Sequence, residues 1–298
     1  MTAGVRFLHE QWGTLNRDGT NPPIFPGPQP ISIERKHFPT LKNNKYLVCE
    51  KTDGVRRALV CTTEGGVRVT VLIDRKLDVT PVKVAMPRSA YRGTIMDGEL
   101  LDDGRFIVYD ALILSGVSVK DRKLTTRLKA IEAFVGGILQ TPSNTIQVKL
   151  KTFYPIRDVY RFYSEYMPTL TYKTDGLVFT PVDEPMRKGT HETMFKWKPR
   201  DMNTIDFQLK QNGDKWNMYI QERGRLIFES IITHNEDWMK EDMIVECQYM
   251  IDGPTPWWKP VGVRTDKDYP NNRRTFYRTI QNIKENIQRR EFADIFSP

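Results

Sequence analysis

The sequence predicts a mixed α+β domain built on a large antiparallel sheet, followed by a smaller, β-rich domain. Strand-like segments follow one another closely in the first two-thirds of the chain: YLVCEK, RRALVCTT, VRVTVLIDR, GTIMDGELL and RFIVYDALIL. The turns TEGG at 63–66 and DDG at 102–104 are of the kind that join antiparallel strands. Shorter strands begin after WKPRDMN. We therefore predict an α+β fold with domains at 1–207 and 208–298.

Helices and a connector complete the first domain. The stretch TNPPIFPGPQP at 20–30 contains too many prolines for a helix or a central strand, so it should be an extended connector after a short N-terminal helix. Apolar residues at helical spacing predict helices in TTRLKAIEAFVGGIL and DVYRFYSEYM.

The second domain is predicted to contain short strands in TIDFQLK, KWNMYIQ, RLIFESI and MIVECQYM. This pattern fits a five-stranded barrel of the OB type, and a plain β-sandwich would use the same pattern. The last segment, RRTFYRTIQNIKENIQRREF, should form a terminal helix. Its apolar residues at helical spacing are Phe276, Ile280, Ile283 and Ile287.

The charge balance favours a polyanionic partner. The chain has 45 Lys and Arg against 37 Asp and Glu, a formal net charge of +8, which suits nucleic acid or nucleotide phosphates. Three cysteines without a C-x-x-C pair and four scattered histidines argue against a zinc site or a disulfide framework, and for a reducing intracellular compartment. No apolar run approaches the roughly 18 residues that span a membrane, so a soluble protein is expected.

The tetrapeptide KTDG occurs at 51–54 and again at 173–176. A lysine amine is a nucleophile only when neutral, and because its ordinary pKa is about 10.4, a catalytic lysine needs nearby positive charge. Lys51 is followed by Arg56 and Arg57, whereas apolar residues follow the second copy, which begins at Lys173. The first copy is therefore predicted to carry the nucleophile.

The spacing K-x-D-G-x-R at 51–56 resembles the signature of covalent nucleotidyltransferases, the superfamily of ATP-dependent DNA ligases, RNA ligases and mRNA capping guanylyltransferases. Further elements that resemble this superfamily follow in order: DGELL at 97–101, IVYDAL at 107–112, TDGLVF at 174–179, MFKWKP at 194–199 and GVRTDK at 262–267. Each element alone is weak, but the ordered set is specific. The resemblance implies an ATP-grasp-like nucleotidyltransferase domain followed by an OB-fold domain.

Within the superfamily, the sequence most resembles the mRNA capping guanylyltransferases, and among these the compact algal-virus type. FPGPQPISI before the nucleophile, CEKTDGVR around it and VLIDRK at 71–76 carry this resemblance, as do VYDALILSGVSV and FKWKPRDMNTIDF. The resemblance implies that GMP is transferred from GTP, through a covalent lysyl-GMP intermediate, to the 5′-diphosphate end of RNA.

The resemblance also implies a role for each site residue. The nucleophile would be Lys51, and the α-phosphate would be contacted by Lys196 and Lys198. The GTP-binding residues would be Asp53, Arg56, Arg75, Glu99 and Tyr109, with Tyr109 stacked on the base. A Mg²⁺ or Mn²⁺ ion would be held by Glu99, Asp175 and Asp206. The catalytic R-x-D-K element would supply Arg264, Asp266 and Lys267. Of these, Arg264 and Lys267 would reach the β and γ phosphates when the OB domain closes.

The expected partners are GTP and the 5′ end of RNA, with no membrane. Because no extra module fits an RNA triphosphatase or a cap methyltransferase, those steps would belong to separate enzymes or to a part of the protein outside this sequence. The expected location is the nucleus or a viral cytoplasmic factory. Two alternatives stay open at the level of sequence. One is an ATP-dependent DNA or RNA ligase, and the other is an OB-containing nucleic-acid-binding protein with an inactive cleft.

Overall fold

Two compact units make up the chain in the computed structural model, which describes residues 3–20, 22–251, 253 and 255–296. The first unit contains the N-terminal stretch through Ile31 and then Pro39–Lys196, and the second contains Ser32–Phe38 and Trp197–Ile295. The chain passes into the second unit after Lys196, so residue 207, where the sequence placed the boundary, lies inside a strand of that unit.

The α-helices are short. They are α1 (Ala3–Trp12), α2 (Phe38–Asn43), α3 (Leu124–Gly136), α4 (Val159–Arg161), α5 (Arg273–Glu285) and α6 (Glu291–Asp294). Helices α1 and α3 confirm two of the predictions. The third, for DVYRFYSEYM, is right only in part, because the three residues of α4 continue as a π-helical turn at Phe162–Tyr166. Across the described ranges, none of the helices combines the length and apolar character needed to cross a bilayer.

Strands β1 to β12 form two sheets. They are β1 (Pro28–Ser32), β2 (Tyr46–Thr52), β3 (Val55–Glu64), β4 (Val67–Ile73), β5 (Val79–Pro81), β6 (Thr94–Leu100), β7 (Arg105–Leu114), β8 (Val117–Ser118), β9 (Gln147–Leu150), β10 (Tyr154–Pro155), β11 (Thr174–Pro181) and β12 (Gly189–Trp197). The larger sheet has the order β5-β4-β3-β6-β7-β8, with β9 parallel to β7, and the smaller has the order β1-β12-β11-β2-β10. The predicted antiparallel sheet is confirmed.

Apolar side chains cover both faces of the larger sheet, because successive residues of a strand point to opposite sides. One face packs against α3 through Leu59, Met96, Phe106 and Ile131. The opposite face packs against α1 through Leu8, Ala58, Val60 and Ile73. Burial of this apolar surface, at roughly 25 cal/mol per Å², holds β3, β6 and β7 in place. These strands carry several of the candidate site residues.

The second unit contains one five-stranded antiparallel sheet. Its strands are β13 (Thr204–Asn212), β14 (Lys215–Glu222), β15 (Arg225–Ile232), β16 (Ile244–Met250) and β17 (Trp257–Val263). Their order is β15-β14-β13-β16-β17, so the first strand pairs with the second and the fourth, as in an OB fold. The OB prediction is therefore confirmed over the sandwich. The core contains Phe207, whose ring centroid lies 4.9 Å from that of Trp258 and 6.0 Å from that of Phe276.

The terminal helix is shorter than predicted. Helix α5 ends at Glu285 because Asn286 adopts the left-handed conformation (φ 47°, ψ 50°) that commonly closes a helix. Phe276 and Ile283 are buried on α5, in line with the predicted apolar stripe. Ile287 is also buried but lies beyond the end of the helix, so the prediction of one continuous helix through this residue was wrong.

Candidate active site

The two KTDG copies lie side by side on the antiparallel strands β2 and β11. Thr52 pairs with Thr174, and Lys51 pairs with Gly176. The residue between the two partners on β11, Asp175, is an extra residue that shifts the register. Such a bulge re-aims the side chain that it carries. The repeated tetrapeptide is therefore used in two ways, with the lysine of one copy next to the aspartate of the other.

Lys51 and Asp175 form an ion pair. Lys51 Nζ donates to the two carboxylate oxygens of Asp175 at 2.9 and 3.1 Å. Lys173 is exposed, and its carbonyl oxygen accepts a hydrogen bond from the backbone N of Asp53 at 3.0 Å. The Asp53 side chain is also exposed. The structure thus brings together the first lysine and the second aspartate of the repeated tetrapeptide.

Lys51 is one of the residues that line a pocket in the first unit, with a cavity volume of about 180 Å³. Several other candidate residues line the same pocket: Arg56, Arg75, Glu99, Tyr109 and Lys196. Two other candidates do not line this pocket within the part of the chain that the structure describes. They are Asp53 and Lys198, and Lys198 belongs to the second unit. Six of the candidate site residues are therefore brought together on one cavity.

The turn after β4 positions Arg75. Asp74 Oδ1 accepts hydrogen bonds from the backbone N of Lys76 at 2.8 Å and of Asp78 at 2.9 Å. The same carboxylate pairs with Arg57 at 2.8 Å, which ties the turn to β3. Aspartate commonly fixes a turn in this way. Arg75 is exposed at this turn, where its side chain lines the pocket.

A buried carboxylate links two of the candidate GTP-binding residues. Asp97 accepts two hydrogen bonds from Arg56, at 3.0 Å to Nε and 2.5 Å to a terminal nitrogen, and a third at 2.7 Å from the Tyr109 hydroxyl. The Arg56 and Asp97 side chains are 6% and 7% exposed. Burial alone would lower the pKa of Arg56, but the charge of Asp97 raises it above its ordinary value.

The proline-rich segment is held against this pair. Arg56 donates to the carbonyl oxygen of Pro28 at 2.7 Å and stacks on the Phe25 ring at 4.9 Å from its centroid. A Cβ atom on Gly27 would lie 2.5 Å from a terminal nitrogen of Arg56. The segment therefore needs glycine at this position in order to lie so close to the guanidinium.

Glu99 brings a second carboxylate into the pocket. Gly98 precedes it, and a Cβ atom there would lie 2.6 Å from the carbonyl oxygen of Ile107, so the DGE sequence allows β6 and β7 to approach closely. Burial raises the pKa of the Glu99 carboxyl, while Lys51 acts in the opposite direction. Among the described residues, Glu99 Oε2 is buried and has no hydrogen-bond partner.

A buried network fixes one wall of the pocket. Lys151 Nζ donates to the hydroxyl oxygen of Thr52 and, at 2.9 Å, to the carbonyl oxygen of Glu50. It also pairs with Glu50 Oε1 at 3.1 Å, and this oxygen accepts a hydrogen bond from the Tyr172 hydroxyl at 2.7 Å. Burial raises the pKa of Tyr172, and the nearby Glu50 raises it further. Thr52 and Lys151 both line the pocket.

The remaining candidate residues lie in the second unit. Arg264 donates to both carboxylate oxygens of Asp206 at 2.9 and 3.1 Å, and Lys267 also donates to Asp206. Asp266 accepts two hydrogen bonds from Arg264 at 2.9 and 2.8 Å. These bonds lower the pKa of Asp266 to about 2. The R-x-D-K element thus forms an ordered cluster of two cations and two carboxylates.

A divalent metal ion fits part of the predicted ligand set. Glu99 and Asp175 are hard oxygen donors in the first unit, and the buried Glu99 Oε2 lacks a partner there. Asp206 lies in the second unit, where Arg264 and Lys267 occupy its carboxylate. No group of three His, Cys, Asp or Glu residues within the described ranges could hold a metal ion. Glu99 and Asp175 would therefore need further ligands from substrate oxygens or water.

Two models of known protein families match consecutive parts of this sequence. A model of the mRNA capping enzyme catalytic domain matches residues 12–200, and one of the mRNA capping enzyme C-terminal domain matches residues 202–293. The chain belongs to the mRNA capping enzyme family. It is 29% identical over 324 residues to the mRNA-capping enzyme subunit alpha of Schizosaccharomyces pombe. This alignment covers 92% of this chain and 80% of that protein.

Other relatives of this capping-enzyme chain are fungal and animal. The mRNA-capping enzyme subunit alpha of Neurospora crassa is 34% identical over 63% of this chain and 54% of that protein. The mRNA-capping enzyme of Mus musculus is 25% identical over 91% of this chain and 50% of that protein. The expectation of a guanylyltransferase of the capping family is confirmed. The finer resemblance to the algal-virus type stays a prediction.

Sequence reasoning missed two polar residues that line the pocket, Thr52 and Lys151, and a third, Asp97, that bonds to the lining residues Arg56 and Tyr109. Asp97 stands two residues before Glu99 in DGELL, so its proximity could have drawn attention, but its bonds to Arg56 and Tyr109 could not be foreseen. Nothing in KLKTF distinguishes the buried Lys151 from the other lysine of that stretch. Thr52 follows Lys51 in the sequence, but its hydrogen bond from Lys151 has no sequence signal.

Proposed function

We propose that the chain transfers GMP from GTP to the 5′-diphosphate end of RNA, with Lys51 as the nucleophile. The observation that carries this proposal is the Lys51 amine on the pocket, held by Asp175 at 2.9 Å, in a member of the capping enzyme family. A lysine that is positioned by a neighbouring group and lines a pocket can act as a covalent catalyst.

Two displacements at phosphorus make up the proposed reaction. In the first, Lys51 Nζ bonds to the α-phosphorus of GTP, the bond to pyrophosphate breaks, and the amine loses a proton. In the second, an oxygen of the terminal RNA phosphate bonds to the same phosphorus, the P–N bond breaks, and the amine regains a proton. Both steps need negative charge to be neutralised around the phosphorus atom.

The pocket residues divide between the base, the ribose and the phosphates. Tyr109 would stack on the base, while Arg75 and Glu99, which line the same pocket, would contact the ribose. Lys196 would neutralise the α-phosphate, and Lys198 is proposed to do the same from the second unit. The β and γ phosphates would be met by Arg264 and Lys267.

Glu99 and Asp175 would hold the divalent ion, Mg²⁺ or Mn²⁺, since their oxygens suit either metal. When bound, the ion would supply positive charge to the phosphate oxygens as they become more negative. The protein residues keep their own tasks. Asp175 orients the Lys51 amine through its two hydrogen bonds, and Glu99 presents a partly desolvated carboxylate to the pocket.

The wider context of the reaction also stays a proposal. The RNA end would be prepared by an RNA triphosphatase and the cap completed by a methyltransferase, each a separate enzyme. The nucleus or a viral cytoplasmic factory would be the place of action. A likeness to the compact algal-virus enzymes is part of the same proposal, and it rests on FPGPQPISI, VLIDRK and their neighbours.

A label-transfer assay tests the proposal. The protein is incubated with a divalent ion and either GTP or ATP labelled on the α-phosphate, then denatured, and covalent label on the polypeptide is measured. Label from GTP that is lost in Lys51→Ala and kept in Lys173→Ala is expected. The second variant is a matched control, because it changes the same residue in the same tetrapeptide at an exposed position.

The other outcomes would support the alternatives. Label from ATP alone would indicate a ligase. No label from either nucleotide, together with salt-sensitive RNA binding, would indicate a nucleic-acid-binding protein whose nucleotidyltransferase cleft is inactive. Label that is lost in Lys173→Ala and kept in Lys51→Ala would reverse the roles of the two KTDG copies.

A further inference from the structure

The carboxylate of Asp206 lies between the two cations of the R-x-D-K element. Arg264 donates to both of its oxygens, at 2.9 and 3.1 Å, and the Lys267 ammonium donates to one of them. The Asp206 side chain is 5% exposed, whereas those of Arg264 and Lys267 are 25% and 29% exposed. The carboxylate is thus the buried centre of the cluster, and the cations extend from it towards solvent.

The backbone fixes this carboxylate firmly. Asp206 lies on β13, and its backbone N donates to the side chain of Asn271 at 2.8 Å, while the backbone N of Asn271 donates to the Asp206 carbonyl oxygen at 2.8 Å. Arg264 follows β17, and its backbone N donates to the Ile244 carbonyl oxygen at 2.8 Å. Three separate parts of the second unit therefore meet at Asp206.

A metal-binding role does not suit Asp206 in this arrangement. Two cations already neutralise its carboxylate, whereas Asp175 pairs with the single ammonium of Lys51. A divalent ion at the Asp206 oxygens would therefore be repelled by two charges instead of one. The two cations keep capacity for another anion, because a guanidinium has five N–H donors and an ammonium has three. Their contacts with Asp206 and Asp266 use only part of this set.

We propose that Asp206 is a positioning residue that holds Arg264 and Lys267 together as one receptor for the β and γ phosphates of GTP. The inference rests on the proposed function. Asp266 restrains Arg264 from the other side, so the guanidinium is held between two carboxylates. The receptor acts on pyrophosphate in the first step and in its reversal. It has no task once pyrophosphate has left.

The test separates the two steps in the variant Asp206→Asn. The amide nitrogen of asparagine is a donor facing two cationic donors, so Arg264 and Lys267 should move apart. The rate of lysyl-GMP formation from GTP should fall about 10²-fold, the cost of misplacing groups by about 1 Å. Attack of added pyrophosphate on the isolated adduct, which regenerates GTP, should fall by a similar factor. Transfer from the isolated adduct to diphosphate-ended RNA should stay within about twofold.

Matched variants guard against a purely structural effect. Asp242→Asn removes an exposed carboxylate of the same unit, which pairs with Lys210 at 3.0 Å, and should change neither step. Asp206→Glu keeps the carboxylate and should recover part of the rate with GTP. Adduct for the transfer assay is prepared by prolonged incubation with GTP, and the thermal midpoint of each variant is followed by tryptophan fluorescence.

Other results would overturn the positioning role of Asp206 or the proposed function itself. Equal loss of both steps, or a folded Asp206→Asn variant that forms the adduct at the normal rate, would overturn the positioning role. A several-fold rise in the metal concentration needed for half-maximal rate would overturn it in favour of a metal ligand. If the wild-type chain forms no adduct at all, the proposed function fails first, and that failure is visible before any variant is measured.

Discussion

Asp175 holds the Lys51 amine with both of its carboxylate oxygens, at 2.9 and 3.1 Å. The Lys51 side chain is 27% exposed and the Asp175 side chain is 18% exposed. An ion pair this accessible to water contributes little to stability. The pair instead fixes the direction of the amine on the pocket, and it exists because the bulge on β11 aims Asp175 at the neighbouring strand.

Asp175→Asn should therefore reduce catalysis more than stability. The amide offers one acceptor where the carboxylate offers two and carries no charge, so we expect lysyl-GMP formation to fall about 10²- to 10³-fold. The thermal midpoint should change little. Initial rates of covalent labelling from GTP measure the first effect. The control is Asp183→Asn, which breaks an exposed pair with Lys123 at 2.6 Å in the same unit. An equal loss of labelling in both variants would contradict the prediction.

Thr52 is expected to contribute to the choice between GTP and ATP. Its hydroxyl oxygen accepts a hydrogen bond from Lys151, so its own proton is free to be donated into the pocket. Guanine offers the acceptor O6 where adenine carries an amino group. Thr52→Val should lower the preference for GTP over ATP by about tenfold, the value of one hydrogen bond. The measurement is the ratio of kcat/KM for adduct formation from the two nucleotides.

Thr180→Val is the matched control for this prediction. Thr180 is also buried and lines the same pocket. Its substitution removes the same hydroxyl group without touching the bond to Lys151. If Thr180→Val relaxes the nucleotide preference as much as Thr52→Val does, the effect comes from the general polarity of the pocket and the assignment to Thr52 is wrong.

Asp97 should matter strongly for stability as well as for GTP binding. In Asp97→Asn the Arg56 charge stays buried without its counter-charge, which typically costs about 3–5 kcal/mol in the free energy of unfolding. Urea denaturation followed by tryptophan fluorescence measures this loss. Asp103→Asn, which removes the half-exposed partner of Arg105, should have a small effect by comparison. Similar midpoints for the two variants would show that the Arg56–Asp97 pair is not a stabilising contact.

The sequence predicted the strands well, because strands depend on local pattern. Alternating apolar residues identified β2, β3, β4, β6 and β7, and these strands bring Lys51, Glu99 and Tyr109 to one pocket. The end of α5 was missed because one residue, Asn286, adopts the left-handed conformation against a continuing apolar pattern.

Polar partners could not be predicted, since they depend on register between distant strands. The bonds of Asp97 follow a register shift between Asp97 and Gly98 on β6. Lys151 reaches the pocket because β9 pairs in parallel with β7, a contact with no local signal. The family resemblance implied a metal-ligand role for Asp206, whereas the residues that bond to its carboxylate, Arg264 and Lys267, are far away along the chain.

Glu99 should make the folded protein less stable as the pH rises. Burial raises the pKa of its carboxyl above the ordinary value of 4.5, so the folded state binds this proton more tightly than the unfolded state does. The resulting stability is fully present below the ordinary value and is lost as the pH rises through the folded value. Glu99→Gln removes the charge, so its free energy of unfolding relative to wild type should increase as the pH rises above the ordinary value of 4.5. Urea denaturation across this range measures the difference, with the exposed substitution Glu64→Gln as the control. A difference that stays constant with pH would mean that the Glu99 carboxylate is solvated in the folded protein. If Glu99 binds GTP or its metal ion, Glu99→Gln should also form less lysyl-GMP, whatever its stability.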